Sequence, residues 1–173
     1  MQHSHCSFCG AAYPSDAPWP RTCAACGETT WRNPLPVGVA LLPVFGAEGV
    51  GPLGAGPGGT GLVVIRRDIE PARGELALPG GYMELGETWR EAIVRELDEE
   101  TGIEADPALV RLFDVHSAVR SLQIFGLLPP IALEDLPRSA PRAEVTEWLV
   151  IDKPLELAFD THTRAVADYF ASA

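Results

Sequence analysis

The feature that most restricts the fold is a 23-residue segment, residues 81–103, in which glycine and glutamate recur around one run of helical character. Thr88 can cap this helix, with Glu91 three residues later to complete a capping box. Gly102 supplies a C-terminal stop after Thr101. Apolar residues recur along the run at helical spacing, with charged residues on the opposite side. We therefore predict a glycine-rich loop followed by an amphipathic helix over residues 88–101.

Three glutamates of this helix stand at positions i, i+3 and i+4, namely Glu96, Glu99 and Glu100. Their Cβ atoms would lie about 5–6 Å apart on one face, where like charges repel. A hard divalent cation relieves that repulsion by bridging carboxylate oxygens. A solvated acidic face is the structural alternative. Two observations weigh against this alternative. The preceding loop has its own carboxylates, Glu84 and Glu87, and Arg95 lies among the helical acids. The cluster predicts a site that holds Mg²⁺ against a pyrophosphate and activates an attacking water.

Charge and composition narrow the class of partner. The net charge is −11, whereas nucleic-acid backbones reward clustered Lys and Arg, so we expect no nucleic-acid partner. A phosphorylated small molecule remains compatible with this charge when divalent cations lie between the two sets of oxygens. No apolar run approaches the roughly 20 residues that cross a bilayer. The N-terminus lacks a secretory pattern. We expect a cytoplasmic protein without a membrane partner.

The rest of the chain alternates between apolar runs and loops. Apolar runs predict five strands and a closing helix, over residues 37–45, 62–65, 112–119, 122–128, 145–151 and 161–171. Residues 46–61 hold eight glycines and two prolines, which predicts a flexible loop at the tip of the first hairpin. Strands mixed with two helices indicate an α/β or α+β sandwich.

All four cysteines lie in two CxxC pairs separated by thirteen residues: Cys6, Cys9, Cys23 and Cys26. This spacing suits a tetrahedral Zn²⁺ site in which Gly10 or Gly27 closes each turn. Two disulfides are the alternative, but CxxC spacing in an intracellular chain disfavours them. Four thiolates leave no open coordination position, so the zinc is predicted to be structural. We expect a zinc ribbon over residues 1–30, followed by a second domain over residues 31–173.

Residues 81–103 also resemble the Nudix signature, because all nine of its defined positions are matched. These positions are Gly81, Glu87, Arg95, Glu96, Leu97, Glu99, Glu100, Gly102 and Ile103. The resemblance implies the Nudix α/β/α sandwich with a mixed sheet. It also implies hydrolysis of a nucleoside diphosphate linked to another moiety. The substrate would be a small nucleotide, and homodimers are common in this family.

The resemblance also implies roles for individual residues. Glu96, Glu99 and Glu100 are similar to ligands of Mg²⁺ or Mn²⁺, joined by the backbone carbonyl of Gly80. Glu87 and Arg95 resemble a structural ion pair. Some Nudix enzymes take their general base from the box and others from a later loop, where Glu144 and Glu147 are the candidates. We favour Glu144, so that the predicted catalytic residues are Glu96, Glu100 and Glu144.

Several segments, most of them outside the signature, favour one branch of the family. The runs at residues 32–34, 66–71, 78–84 and 157–159 are similar to segments of FAD and ADP-ribose pyrophosphatases. The NADH pyrophosphatases carry a Ser-Gln-Pro-Trp-Pro-Phe type motif that does not follow Gly102. Two alternatives are a nucleoside triphosphate pyrophosphohydrolase and a non-catalytic nucleotide-sensing regulator.

Contacts to the substrate have more than one candidate. Arg66 or Arg67 is a candidate phosphate ligand, with a solvated strand end as the alternative. Tyr82 or Phe125 is a candidate for stacking on a base, with packing as the alternative.

Overall fold

The computed structural model describes residues 3–46 and 60–172. The chain folds as two compact units, Met1–Pro34 and Leu35–Ala173. The division falls four residues beyond the end of the predicted ribbon. Most of the predicted glycine-rich loop, residues 47–59, lies outside the described residues. Within the described parts of the chain, no helix is long and apolar enough to cross a membrane.

The N-terminal unit is built from two similar turns and one small hairpin. The N–H of Gly10 donates to the carbonyl of Cys6 at 3.0 Å, and the N–H of Gly27 donates to the carbonyl of Cys23 at 2.8 Å. Both glycines have positive φ, 75° and 79°. A glycine adopts this conformation without steric cost, which explains its place after each CxxC pair. The strands are β1, Arg21–Thr22, and β2, Thr29–Thr30, which pair antiparallel.

The larger unit contains two sheets. The strands are β3 Leu35–Leu41, β4 Pro43–Phe45, β5 Thr60–Arg67, β6 Leu76–Ala77, β7 Gly80–Tyr82, β8 Arg111–Ser117, β9 Ser121–Leu127, β10 Ile131–Ala132 and β11 Val145–Ile151. The first sheet has the order β10-β4-β5-β11, with β6 also paired to β5, and the second has the order β7-β3-β9-β8. The β3–β9 and β10–β4 pairs are parallel and the others antiparallel, so the fold contains the predicted mixed pairing.

A helix packs on each face of these sheets. Helix α1 spans Trp89–Thr101 and α2 spans Asp160–Ser172. Successive residues of β3 point to opposite faces, as the pleat of a strand requires. Ala40 therefore packs in one apolar cluster with Ile93 of α1, and Leu41 packs in a second cluster with Val166 of α2. Burial on both faces explains why β3 is a nearly continuous apolar run, and the result is an α/β/α sandwich.

Several predicted elements agree closely with the structure. The strand over residues 145–151 has the predicted bounds, and the helices begin and end within one residue of prediction. The predicted strand over residues 37–45 is two strands, since Leu42 separates β3 from β4. Strand β4 belongs to the first sheet and forms the predicted hairpin with β5.

Candidate active site

The start of α1 is fixed by its own sequence. The N–H of Glu91 donates to Thr88 Oγ1 at 3.3 Å, and the N–H of Thr88 donates to Glu91 Oε2 at 2.7 Å. The predicted capping box is therefore confirmed. Gly102 ends the helix in the left-handed conformation, with φ of 75°. These caps determine where α1 begins and ends, and the i, i+3, i+4 spacing of the acidic residues places them on one face.

An arginine–glutamate pair holds the preceding loop against the helix. Arg95 donates two parallel hydrogen bonds to Glu87, from Nη2 at 2.8 Å and from Nε at 3.1 Å. Arg95 Nη2 also donates to the carbonyl of Tyr82 at 2.9 Å. The hydrogen bonds from Arg95 lower the pKa of Glu87. The predicted ion pair is confirmed, and its bidentate geometry is the one that planar guanidinium groups provide.

The same arginine lies between two of the predicted metal ligands. Arg95 Nη1 is 2.8 Å from Glu96 Oε1 and 3.2 Å from Glu99 Oε2. The side chain of Glu96 is 14% exposed, whereas that of Glu99 is 58% exposed. Burial raises the pKa of Glu96, Arg95 lowers it, and the nearby charges of Glu99 and Glu144 raise it further. Glu96 is thus a largely enclosed carboxylate surrounded by further acids.

Glu100 is the most buried of the acidic residues on α1, with 7% of its surface exposed. Its Oε2 accepts a hydrogen bond from the N–H of Gly80 at 2.8 Å, which joins helix and loop directly. Burial raises the pKa of Glu100 to about 8, and the negative charges of Glu96 and Glu144 act in the same direction. Among the described residues, Glu100 has no ion-pair partner. A buried carboxylate beside other acids favours either a proton or a cation.

A cavity of about 1260 Å³ is lined by residues from distant parts of the chain. Its lining includes six glutamates and four arginines. These are Glu70, Glu84, Glu96, Glu99, Glu100 and Glu144, with Arg67, Arg95, Arg120 and Arg142. Glu144 comes from the loop before β11, where its carbonyl accepts the N–H of Asp68 at 2.8 Å. Glu147 does not line the cavity and instead pairs with Arg66 at 2.8 Å. The structure thus separates the two candidate bases and leaves Glu144 beside the acidic cluster.

The residues suggested for substrate contact fall into two groups, those that line the cavity and those that do not. Tyr82 and Arg67 line the cavity, and 62% of the Tyr82 surface is exposed. Phe125 is fully buried in the core, so the suggestion that it stacks on a base is wrong. Arg66 is occupied by Glu147 and by the carbonyl of Gly74, and it lies outside the cavity lining.

No motif in the sequence pointed to His162, a cavity residue on α2 that is 4% exposed. Its Nδ1 accepts the N–H of Leu78 at 3.2 Å. Burial lowers the pKa of His162 to about 3, and the positive charge of Arg67 contributes in the same direction. The ring is therefore neutral near pH 7. Because Nδ1 accepts a hydrogen bond, the proton of this neutral ring is on Nε2.

The four cysteines form the one group of three or more acidic, histidine or cysteine ligand atoms that lie within 4.8 Å of one another in the described residues. Cys6 Sγ is 3.7 Å from Cys26 Sγ, and Cys9 Sγ is 3.6 Å from Cys23 Sγ. All four thiols are free, so the two-disulfide alternative is not what the structure contains. A tetrahedron with Zn–S bonds of about 2.3 Å has sulfur–sulfur edges of about 3.8 Å. The sulfur spacing therefore fits a zinc ion.

The acidic cluster differs from the cysteine group in that Arg95 lies between Glu96 and Glu99. Its donor chemistry nevertheless fits a hard cation. Carboxylate oxygens are the ligands that Mg²⁺ and Mn²⁺ prefer. Burial raises the pKa values of Glu96 and Glu100, and neighbouring negative charge, which a cation would offset, raises them further.

A glycine-rich loop held to a capped acidic helix, inside an α/β/α sandwich, defines the class of protein. It is the loop–helix unit of a Nudix fold. The family model for the NUDIX domain matches residues 48–165, and the chain belongs to this family.

Two curated relatives and one solved structure are similar to the chain. An ADP-ribose pyrophosphatase of Methanocaldococcus jannaschii is 34% identical over 114 residues, which cover 62% of this chain and 64% of that protein. An NAD-capped RNA hydrolase NudC of Salmonella heidelberg is 26% identical over 102 residues, or 58% of this chain and 34% of that protein. The chain thus matches less than two thirds of the length of each relative. A NUDIX hydrolase from Nitrosomonas europaea has a similar fold, with a TM-score of 0.70, 24% identity and coverage of 98% of this chain and 91% of that chain.

Proposed function

We propose that this protein is a metal-dependent hydrolase of a nucleoside diphosphate linked to another moiety, with ADP-ribose as the first candidate substrate. The observation that carries the proposal is the presence of Glu96, Glu99, Glu100 and Glu144 in the lining of one cavity. One net water would be consumed, one P–O–P bond would break, and two monophosphates would leave. The 34% identity to an ADP-ribose pyrophosphatase supports the choice of substrate.

Each acidic residue has a separate role in this proposal. Glu96, Glu99 and Glu100, with the carbonyl of Gly80, would hold Mg²⁺ or Mn²⁺. Such an ion, when bound, neutralises charge on the diphosphate and makes water more acidic. The hydrogen bond from Gly80 N–H orients the Glu100 carboxylate, and Arg95 orients Glu96.

Glu144 is the proposed general base. It stands on a loop separate from α1, and its charge is close enough to raise the pKa values of Glu96 and Glu100. This position allows its carboxylate to accept a proton from a water that attacks phosphorus beside the acidic cluster. The hydrogen bond between the Glu144 carbonyl and Asp68 N–H holds the loop in place.

Cations in the same cavity suit the diphosphate. Arg67 Nε donates to the carbonyl of Pro71 at 2.9 Å, which leaves its Nη groups for a phosphate oxygen. The side chain of Arg142 forms no hydrogen bond or ion pair within residues 3–46 and 60–172. Guanidinium groups bind phosphate oxygens through two donors at once.

A substrate panel read by product mass tests the proposal. ADP-ribose, FAD, NADH and a nucleoside triphosphate would each be incubated with Mg²⁺ or Mn²⁺ in ¹⁸O-labelled water. The expected result is AMP and ribose 5-phosphate from ADP-ribose, with the label on one product to identify the phosphorus attacked. Turnover of the triphosphate alone would favour a triphosphate pyrophosphohydrolase instead. Absence of turnover on all four compounds would contradict the proposal.

We also propose that Cys6, Cys9, Cys23 and Cys26 bind one structural Zn²⁺. The sulfur spacing supports this role, because two of the six edges of the tetrahedron are 3.6 and 3.7 Å long. A small unit with so little apolar core gains most of its stability from such an ion.

Alanine substitutions at two adjacent glycines should have different effects, one on activity and the other on stability. A Cβ at Gly81 would meet the carboxylate of Glu96, whereas a Cβ at Gly80 would meet backbone atoms of Gly38 and Val39. A side-chain carboxylate can move and a β-strand cannot, so Gly81→Ala should lower kcat by up to about a hundredfold with little loss of stability. Gly80→Ala should lower the free energy of unfolding by about 2 kcal/mol.

These two predictions are checked by measuring urea unfolding and ADP-ribose turnover of both variants. Parent-level activity in Gly81→Ala, or parent-level stability in Gly80→Ala, would show that the corresponding contact has been misjudged.

A further inference from the structure

Three side chains from adjacent strands form a row on one face of the second sheet. Val37 of β3 is the register partner of Tyr82 on β7 and of Gln123 on β9. Register partners in a sheet point to the same face and lie about 5 Å apart. All three line the cavity that contains the acidic cluster. The neighbouring row on this face includes Phe125, which packs in the apolar cluster beneath α2.

Gln123 is the polar member of the row, and its carboxamide is unused. Its Oε1 is buried and has no hydrogen-bond partner in the described parts of the chain. The cross-strand neighbour is His116, whose Nε2 is also buried without a hydrogen bond and lies 3.3 Å from Asp114 Oδ2. A buried acceptor that stays unpaired lowers stability. Because the Gln123 side chain also lines the cavity, rotation of its terminal amide would bring Oε1 to a ligand N–H and remove that cost.

Tyr82 supplies an aromatic surface in the same row. Most of its surface is exposed, while its carbonyl is held by Arg95 Nη2 at 2.9 Å. The backbone of Tyr82 is therefore fixed by the same arginine that orders the acidic loop. Stacking of a base on an exposed aromatic ring stabilises a bound nucleotide. Half-buried Val37 lies between the ring and the amide as an apolar floor.

We propose that the row Tyr82–Val37–Gln123 is the nucleobase subsite and that it selects adenine. This inference rests on the proposed hydrolysis of a nucleoside diphosphate derivative. A buried amide oxygen requires an N–H donor, which the 6-amino group of adenine provides. The amide NH₂ can then donate to N7 on the same edge of the base, the bidentate pairing typical of glutamine with adenine. On this edge hypoxanthine and guanine present two acceptors, O6 and N7, and would leave Gln123 Oε1 unpaired.

The test compares ADP-ribose with its hypoxanthine analogue, IDP-ribose, which replaces the 6-amino group by an oxo group. The parent protein should prefer ADP-ribose by about 10- to 100-fold in kcat/KM, as expected for one bidentate base contact. Gln123→Leu should bring that ratio to within about threefold of one, mainly through a higher KM for ADP-ribose.

Two control variants separate base selection from a structural role. Leu122→Ala changes the next residue of β9, which points to the opposite face and does not line the cavity. His116→Phe removes the polar neighbour of Gln123. Both should keep the preference of the parent protein. Loss of the preference in His116→Phe would show that Gln123 acts only through His116, and this would overturn the proposal.

A parent protein without adenine preference, or a Gln123→Leu variant that keeps it, would also overturn the inference. If neither compound is hydrolysed, the proposed function has failed, and base selection can still be measured separately. Calorimetric titration with AMP and with IMP, in the presence of Mg²⁺, should then show tighter binding of AMP that Gln123→Leu removes. Equal affinity for AMP and IMP would contradict the subsite itself.

Discussion

Replacement of Glu100 by glutamine is expected to lower kcat for ADP-ribose by about a thousandfold or more. The substitution keeps an oxygen that can accept the hydrogen bond from Gly80 N–H, so the loop and helix should stay in place. It removes the negative charge that the proposed Mg²⁺ site requires. Because it also removes the cost of burying a charge, and the repulsion from Glu96 and Glu144, the variant should be at least as stable as the parent protein in the absence of divalent ions.

A matched control is available on the same helix. Asp98→Asn makes the same chemical change at an exposed position that does not line the cavity. Turnover at saturating Mg²⁺ and thermal unfolding would be measured for both variants. The proposed role of Glu100 is contradicted if its variant retains more than about a tenth of the parent kcat, or if Asp98→Asn is equally impaired.

The second large effect is expected in the N-terminal unit. Cys23→Ser should release the zinc and unfold this unit, since structural zinc contributes about 10–16 kcal/mol to the folding of small zinc-bound peptides. Strong chelation of the parent protein should have the same result. Ser7→Ala, a change inside one CxxC turn that leaves all four thiols, is the matched control.

Elemental analysis and amide NMR spectra check this prediction. The parent protein and Ser7→Ala should each carry one zinc per chain, with dispersed signals for residues 3–34. Cys23→Ser should carry none and should show random-coil shifts for the same residues. A parent protein without zinc, or a variant that keeps dispersed signals, would remove the proposed site.

Local sequence signals account for the parts of the site that lie close together in the chain. Thr88 and Glu91 determine where α1 begins, and Gly102 determines where it ends, because each acts through hydrogen bonds within a few residues. The Glu87–Arg95 pair also spans only eight residues, but it was the family resemblance that implied this pair. The cysteine turns depend only on CxxC spacing and a following glycine.

The cavity could not be predicted in this way, since it depends on long-range packing. Gln123 lies in an apolar strand, and nothing in the sequence shows that its side chain faces the cavity and not the core. His162 reaches Leu78 across 84 residues. The sequence makes Phe125 a candidate for stacking or for packing, because aromatic rings suit both roles, and only the packing against α2 decides between them.

The acidic cluster itself shows the limit of helical spacing as a guide. Spacing places Glu96, Glu99 and Glu100 on one face, but it does not specify where each carboxylate points. In the structure Arg95 contacts two of them, and Gly80 N–H contacts the third. Glu144 comes from the loop before β11 and also lines the cavity. The family resemblance suggested a base from such a later loop, and the position of Glu144 supports that suggestion.

The proposed mechanism depends above all on carboxylates of α1 that hold a divalent cation against a diphosphate. Anomalous diffraction from crystals of Glu144→Gln soaked with Mn²⁺ and ADP-ribose tests this most directly, because this variant should turn over the substrate slowly and keep the cation ligands. We predict a manganese peak bonded to oxygens of Glu96 and Glu100, with the diphosphate of ADP-ribose in contact with the same ion. ADP-ribose bound elsewhere, or manganese absent from these carboxylates while the ligand occupies the cavity, would contradict the mechanism.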